Sequence, residues 1–249
     1  MANPKLYPVF LDLCRRPVLI VGGGSVALRK AAGLTAAGAR VTVVSPAFCT
    51  ELETLDIARV AQSYDSTHMT MTPWRLVFAA TNDPAVNRAV AADAASHGLL
   101  CCRCDEAAAG DFVGGAVGSA GEITLAVSTG KASPVMAVKI RDQALAGIDP
   151  VLVTWTELLA SWRESVLSQV KKEPLRRAFL QRLAGAEMEA ILRAQGARGA
   201  QKHFAAWLRE ARHGNAVPVR GKSKSPKSRP ARPSARGKMS PHRGGSHVD

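Results

Sequence analysis

Three glycines and a single carboxylate are the residues whose types and spacing could do chemistry in this sequence. The run Val18-Leu-Ile-Val-Gly-Gly-Gly-Ser-Val-Ala-Leu-Arg-Lys30 passes from four apolar residues through Gly22, Gly23 and Gly24 into a helical pattern. Gly22 permits a tight turn, and Gly24 lets the backbone approach a pyrophosphate. Ala27 stands where a third small residue allows helix and strand to pack closely. The helix start that follows, Ser25-Val26, offers unpaired N–H groups and the positive end of a dipole to phosphate. A dinucleotide site is the expectation, and an ordinary strand-to-helix turn is the alternative.

The carboxylate is Asp105, which directly follows the apolar run Leu99 to Cys104. A carboxylate at a strand mouth can take a proton from carbon or nitrogen while hydride leaves for a nicotinamide. It can equally cap the next turn, and position alone does not choose. Residues 101, 102 and 104 are cysteines. On an extended segment Cys102 and Cys104 share one face and Cys101 takes the other. Three thiolates so placed cannot wrap one ion, and no second pair lies at zinc spacing, so small buried thiols are expected. Any metal ligands stay unknown. The six histidines are scattered and form no motif.

The elements that must position these residues alternate. Val9 to Leu13 reads as a short edge strand and Val18 to Val21 as a buried one. Val26 to Ala37 reads as a helix stopped by Gly38. Arg40 to Val44 is a second strand ended by Ser45-Pro46-Ala47, and a weaker strand follows at 58–61. Leu76 to Ala80 is a strand closed by Thr81-Asn82-Asp83-Pro84. Ala85 to Ser96 is a helix, and Leu99 to Cys104 a further strand. Such alternation predicts an open, Rossmann-like doubly wound parallel sheet, with ligand outside the carboxyl ends of the strands. One expected feature is missing. The end of the second strand usually carries a carboxylate for the adenosine ribose. Here it carries Ser45, the next acid is Glu51, and no arginine stands by for a 2′-phosphate. NAD and NADP both stay open on this ground.

Beyond Asp111 the texture changes. Phe112 to Gly121 is glycine-rich, Glu122 to Val127 reads as a strand, Ser128 to Pro134 as a turn and Val135 to Ala146 as a helix. From Val151 to Arg212 apolar residues recur at helical spacing, including Trp162, Phe179, Phe204 and Trp207. These aromatics read as core packing.

The chain has 249 residues, 47% of them apolar, which is ordinary for a globular protein. No apolar run is long enough for a membrane helix, and the first residues show no secretory pattern. Five cysteines, an odd count, do not suggest a disulfide framework, so a reducing cytoplasm is expected. Of the net charge of +13, +8 lies in residues 214–249. That Pro/Ser/Gly-rich tail is expected to be disordered. It reads as a solubilising appendage, with non-specific contact to nucleic acid as the alternative.

Together the segments resemble precorrin-2 dehydrogenase, the family that also forms the N-terminal half of siroheme synthase. The resemblance is carried by Tyr7-Pro-Val-Phe-Leu-Asp-Leu, the Val18–Ala31 run, Gly38-Ala-Arg-Val-Thr-Val-Val-Ser-Pro and Val77-Phe-Ala-Ala-Thr-Asn-Asp-Pro-Ala-Val-Asn87. It continues through Asp105, Asp111-Phe112 and Ile123-Thr-Leu-Ala-Val-Ser-Thr-Gly-Lys-Ala-Ser-Pro134. It implies NAD-dependent oxidation of precorrin-2 to sirohydrochlorin, with ferrous iron insertion to give siroheme in many members; whether this chain inserts iron, cobalt or no metal stays open. It also implies an intertwined homodimer built as a dinucleotide domain (1–112), a small dimerisation segment (113–148) and a helical substrate domain (149–213). Asp105 falls on the family's catalytic aspartate, and Ser25, Val26, Pro46 and Ala47 fall at its cofactor-contact positions. The tetrapyrrole's eight carboxylates would suit Arg103, Lys131, Lys139 and Arg141, each of which taken singly reads as a solvated charge. Val113-Gly-Gly-Ala116 and the cysteine cluster depart from the family's usual residues, and no methyltransferase half follows, so the chain is not expected to make precorrin-2. Two other functions remain possible on the residues alone. One is an oxidoreductase of a small metabolite. The other is a nucleotide-sensing module that binds nucleic acid through its tail.

Overall fold

In the computed structural model residues 6–106, 109–130 and 132–212 are described. The basic tail and Lys131 lie outside the described residues. The chain divides into two compact units, one up to Ala160 and one from Ser161.

The first unit is built on five parallel strands in the order β3-β2-β1-β4-β5. They are β1 (Pro17–Val21), β2 (Arg40–Val44), β3 (Ala58–Val60), β4 (Leu76–Ala79) and β5 (Leu100–Arg103). Every residue of β1 and β4 is buried, because strands covered on both faces read as unbroken apolar runs. Helix α1 (Ser25–Ala36) covers one face through Ala27, Ala31 and Leu34. The opposite face is covered by α3 (Pro84–Ser96), through Val90 and Ala94, together with Met69 and Trp74. The order reverses between β1 and β4, and that is the point where a doubly wound sheet opens a crevice. Between β2 and β4 the helices have shrunk to α2 (Thr50–Glu53) and a single 3₁₀ turn at Ser66–Met69. In that turn His68 is buried and its carbonyl accepts from Trp74 Nε1.

The segment Val9–Leu13 is not the edge strand its composition predicts. Both sides of β1, the strand it leads into, are already taken by β2 and β4, so the entering chain has no place to pair beside it. It turns instead, with Arg15 at φ +58° and the Asp12 carboxylate accepting from Cys14 N.

After the sheet, β6 (Ala116–Ala120) and β7 (Ile123–Val127) form an antiparallel hairpin closed at Gly121, whose φ is +55°. Strand β6 lies inside the stretch that reads only as glycine-rich. Its small residues have a packing reason: a Cβ on Gly118 would come within 2.6 Å of Leu145 on α4 (Pro134–Ala146). Helix α5 (Pro150–Gln169) follows. On the other edge of the main sheet, the Asp111 carboxylate accepts from Cys101 N and Asp111 N donates to the Cys101 carbonyl.

The second unit holds the end of α5 with α6 (Glu173–Leu183) and α7 (Ala186–Arg212), the last broken at Gly196, where φ is +65°. Its aromatics are core, as their spacing predicts. Trp162 stacks on Phe204 at 4.5 Å, Phe179 is fully buried, and the Arg182 guanidinium lies 3.7 Å over the Trp207 ring. No helix among the described residues is long and apolar enough to cross a membrane.

Candidate active site at the carboxyl ends of the sheet

Five strand ends lie in a row, tied by four ladder bonds that continue past the strands. Ser45 N donates to Val60 O, Gly22 N to Val44 O, Ala80 N to Val21 O and Cys104 N to Ala79 O. This brings Gly22–Gly24, Ser45–Ala47, Thr81–Asp83 and Asp105 to one end of the sheet.

The three glycines differ in what surrounds them. Gly22 has φ +122°, and a Cβ there would meet the Ala80 carbonyl at 2.4 Å. A Cβ on Gly23 would sit 1.9 Å from the Ala47 carbonyl, while Cys49 N donates to the Gly23 carbonyl. Gly24 has nothing within 4 Å of its Cβ position. Helices α3 and α4 are capped by the side chains of Asp83 and Ser133. Helix α1 begins at Gly24 with no side-chain cap and no acid in its first turn. A phosphate fits there: the approach at Gly24 is open, the free N–H groups of the helix start are available to it, and no acid stands in the helix's own first turn. Ser25, Val26, Pro46 and Ala47 are exposed around this opening.

At the end of β2, Ser45 is buried and its hydroxyl donates to the Ala47 carbonyl at 2.7 Å. That hydroxyl holds its own loop against the glycine turn. Thr81 is fixed by a residue that composition did not single out. Asn87 on α3 is fully buried, its Oδ1 accepts from Thr81 N and Thr81 Oγ1, and its Nδ2 donates to Thr81 O. Asn87 also lies near enough to the Asp105 carboxylate to favour its charged form. The only signal for it in the sequence is a polar residue in phase with Val90 and Ala94 on the inward stripe of an Ala-rich helix. Asp83 caps α3 by accepting from Ala85 N, and Asn82 is exposed beside it.

Asp105 is held from below. Arg103 is only 7% exposed, and its Nη2 lies 2.8 Å from Asp105 Oδ2 and 3.1 Å from Glu106 Oε2. Arg103 is therefore not the solvated charge its residue type suggests. Its guanidinium hydrogen bond holds the Asp105 carboxyl below the usual carboxylate range against the opposing effect of burial, with help from Asn87. Asp105 is thus ionised at neutral pH, with its side chain 22% exposed. Of the other cations, Arg141 pairs with Asp142 and donates to Val117 O, while Lys139 is exposed. Among the described residues no group of three His, Cys, Asp or Glu side chains is placed to hold a metal ion.

The sign of the Arg103 effect gives a test. A carboxylate whose pKa is depressed by folding adds stability above its unfolded pKa, and that stability is lost as pH falls through the folded value. In Arg103→Gln that contribution is largely absent, so stability falls less steeply than in the wild type as pH drops below the ordinary carboxylate value of about 4. Thermal unfolding of both proteins between about pH 3 and about pH 7 reads the difference in slope. Superimposable profiles would show that the pair does not hold the carboxylate.

The all-parallel order, the open glycine turn and the reversal between β1 and β4 define the class: a doubly wound dinucleotide-binding domain. Residues 9–116 match the family model described as "Putative NAD(P)-binding". The chain is homologous to part of the siroheme synthases. It is 35% identical over 182 residues to siroheme synthase of Chromobacterium violaceum, covering 70% of this chain and 38% of that protein. It is 38% identical over 190 residues to that of Methylococcus capsulatus, covering 74% and 40%. With siroheme synthase of Neisseria meningitidis serogroup C it shares 31% over 219 residues, 86% of this chain and 45% of that one. The chain thus spans less than half the length of these relatives. A solved structure titled "SirC, precorrin-2 dehydrogenase" shares the fold, with a TM-score of 0.66, 24% identity, and coverage of 82% of this chain and 100% of that one.

Proposed function

We propose that this chain oxidises precorrin-2 to sirohydrochlorin with NAD, and that Asp105 is its catalytic base. The observation that supports this best is a carboxylate held ionised by Arg103 and Asn87 in the same row of strand ends as the open helix start at Gly24. A nicotinamide dinucleotide bound at Gly22–Gly24 supplies the hydride acceptor. Thr81, Asn82 and Asp83 border it on the β4 side, and Ser45, Pro46 and Ala47 on the β2 side. Removing hydride from the macrocycle leaves it electron-poor, so the neighbouring proton becomes far more acidic. A base of depressed pKa is then strong enough to take that proton, and its permanent charge favours the developing positive one.

The relatives' name supports a tetrapyrrole substrate. Exposed apolar residues on α4, Val135 at 77% with Val138 and Ile140, and Val117 on β6, support a homodimer through this segment. The test is to mix the purified chain with precorrin-2 and either NAD or NADP and follow reduced nicotinamide and product absorbance. Reduction of NAD with appearance of sirohydrochlorin is the expected result. Inactivity on the tetrapyrrole with activity on an alcohol or acid panel would overturn it. Repeating the reaction with ferrous or cobaltous ion reads metal insertion separately.

A further inference from the structure

Two sulfur atoms beside the proposed base take no part in that chemistry. Cys102 and Cys104 lie on one face of β5 and its extension, packed with the α1 side of the sheet, close enough for each thiol to shift the other's titration. Cys102 is 4% exposed and Cys104 half-buried. Lys30 of α1 stands over them. Its ammonium lies 5.8 Å from the Phe78 ring centroid, and a Cβ on Gly114 would come within 2.6 Å of it. The neighbouring Cys104 thiol, and then the Lys30 charge, pull the Cys102 thiol down to about 7, while Cys102 and burial push Cys104 up. Cys102 is therefore the more readily ionised of the two. Cys101, on the opposite face, is pushed up to about 12, chiefly by burial, and stays an unreactive thiol.

We propose that Cys102 and Cys104 form an oxidisable dithiol, a modification site at which hydrogen peroxide closes a disulfide across Arg103. The Cys102 thiolate attacks peroxide: an S–O bond forms, the O–O bond breaks, and the departing hydroxide takes up the proton Cys102 gave up and leaves as water. Cys104 then attacks the Cys102 sulfur: the S–S bond forms, the S–O bond breaks, and hydroxide leaves with the Cys104 proton as a second water. Two thiols and one peroxide give one disulfide and two waters. Residues i and i+2 of a strand stand about 6.6 Å apart, at the upper end of the range that disulfides span. Closure therefore draws in the strand end where Cys104 N bonds to Ala79 O, and with it Arg103, the residue that holds Asp105. The effect on turnover rests on the dehydrogenase reading; the thiol chemistry does not.

The full chain, reduced and then given peroxide, is alkylated, digested and weighed. The expected peptide lacks two hydrogens, with Cys101 alkylated and Cys14 and Cys49 still free at that dose. Precorrin-2 oxidation falls by about tenfold or more and returns with dithiothreitol. Cys104→Ser, or Cys104→Ala, keeps its turnover through the same treatment, and Lys30→Met closes the bridge about tenfold more slowly. Oxidation of Cys14 or Cys49 with both Cys102 and Cys104 alkylated would overturn the proposal, as would a closed bridge with unchanged turnover. If the reduced chain does not oxidise precorrin-2, the dehydrogenase reading fails while the peptide mass still decides whether the bridge forms.

Discussion

Asp105→Ala is expected to lower the rate of precorrin-2 oxidation by about 10² or more while dinucleotide binding is retained, the usual size of a lost general base. The structure separates the two effects. Asp105 lies past β5, whereas the phosphate cradle is built by Gly22–Gly24 and the start of α1. Arg103 needs attention in the same experiment. Removing Asp105 leaves a guanidinium that is 7% exposed with Glu106, at 3.1 Å, as its remaining ion-pair partner among the described residues, and a buried charge that loses a partner destabilises. Asp105→Asn keeps an acceptor for Arg103 without a base. The same rate loss in Asp105→Asn, with unfolding temperature and NAD affinity near wild type, identifies the missing proton acceptor. Wild-type-like turnover in either variant would remove Asp105 from the mechanism.

The second large effect distinguishes two adjacent glycines. Gly23→Ala places its methyl 1.9 Å from the Ala47 carbonyl and 2.8 Å from Ser45 Oγ, both within a loop pinned by Cys49 N. That loop's backbone must move, at about 3 kcal/mol or more, and both stability and dinucleotide binding fall. Gly24→Ala meets nothing within 4 Å. It is expected to change stability by less than about 1 kcal/mol and still weaken dinucleotide binding by about tenfold or more, because its methyl enters the space through which a pyrophosphate approaches. Thermal unfolding and dinucleotide titration of the two variants check this. Equal losses of stability would contradict the packing described, and full affinity in Gly24→Ala would place the phosphates elsewhere.

The sheet was legible because its central strands are buried on both faces and so are plain apolar runs. Its helices stop where Gly38 and Gly98 take φ of +75° and +67°, a conformation that glycine adopts at no steric cost. Local pattern misled at Val9–Leu13, where apolar residues have strand propensity but the topology leaves no partner. Strand β6 was hidden because packing under α4 demands residues with almost no side chain, and glycine spacing carries no period-two signal. In the candidate site, the glycine turn and Asp105 could be named from sequence. What holds Asp105 could not, because an arginine reads as surface and an asparagine in a helix reads as incidental. Their buried positions follow from contacts between α3, β4 and β5.

The two hydrogen bonds between Asp111 and Cys101 matter beyond the fold. A parallel sheet ends in strands whose free backbone groups invite a strand from another molecule, the first step towards aggregation. At β3 the exposed edge is only three residues long. At β5 the chain's own return segment occupies the Cys101 N–H and carbonyl, so neither border of the sheet presents a long template. Copies of this protein can then meet through other surfaces, at high concentration, without their sheets fusing into one.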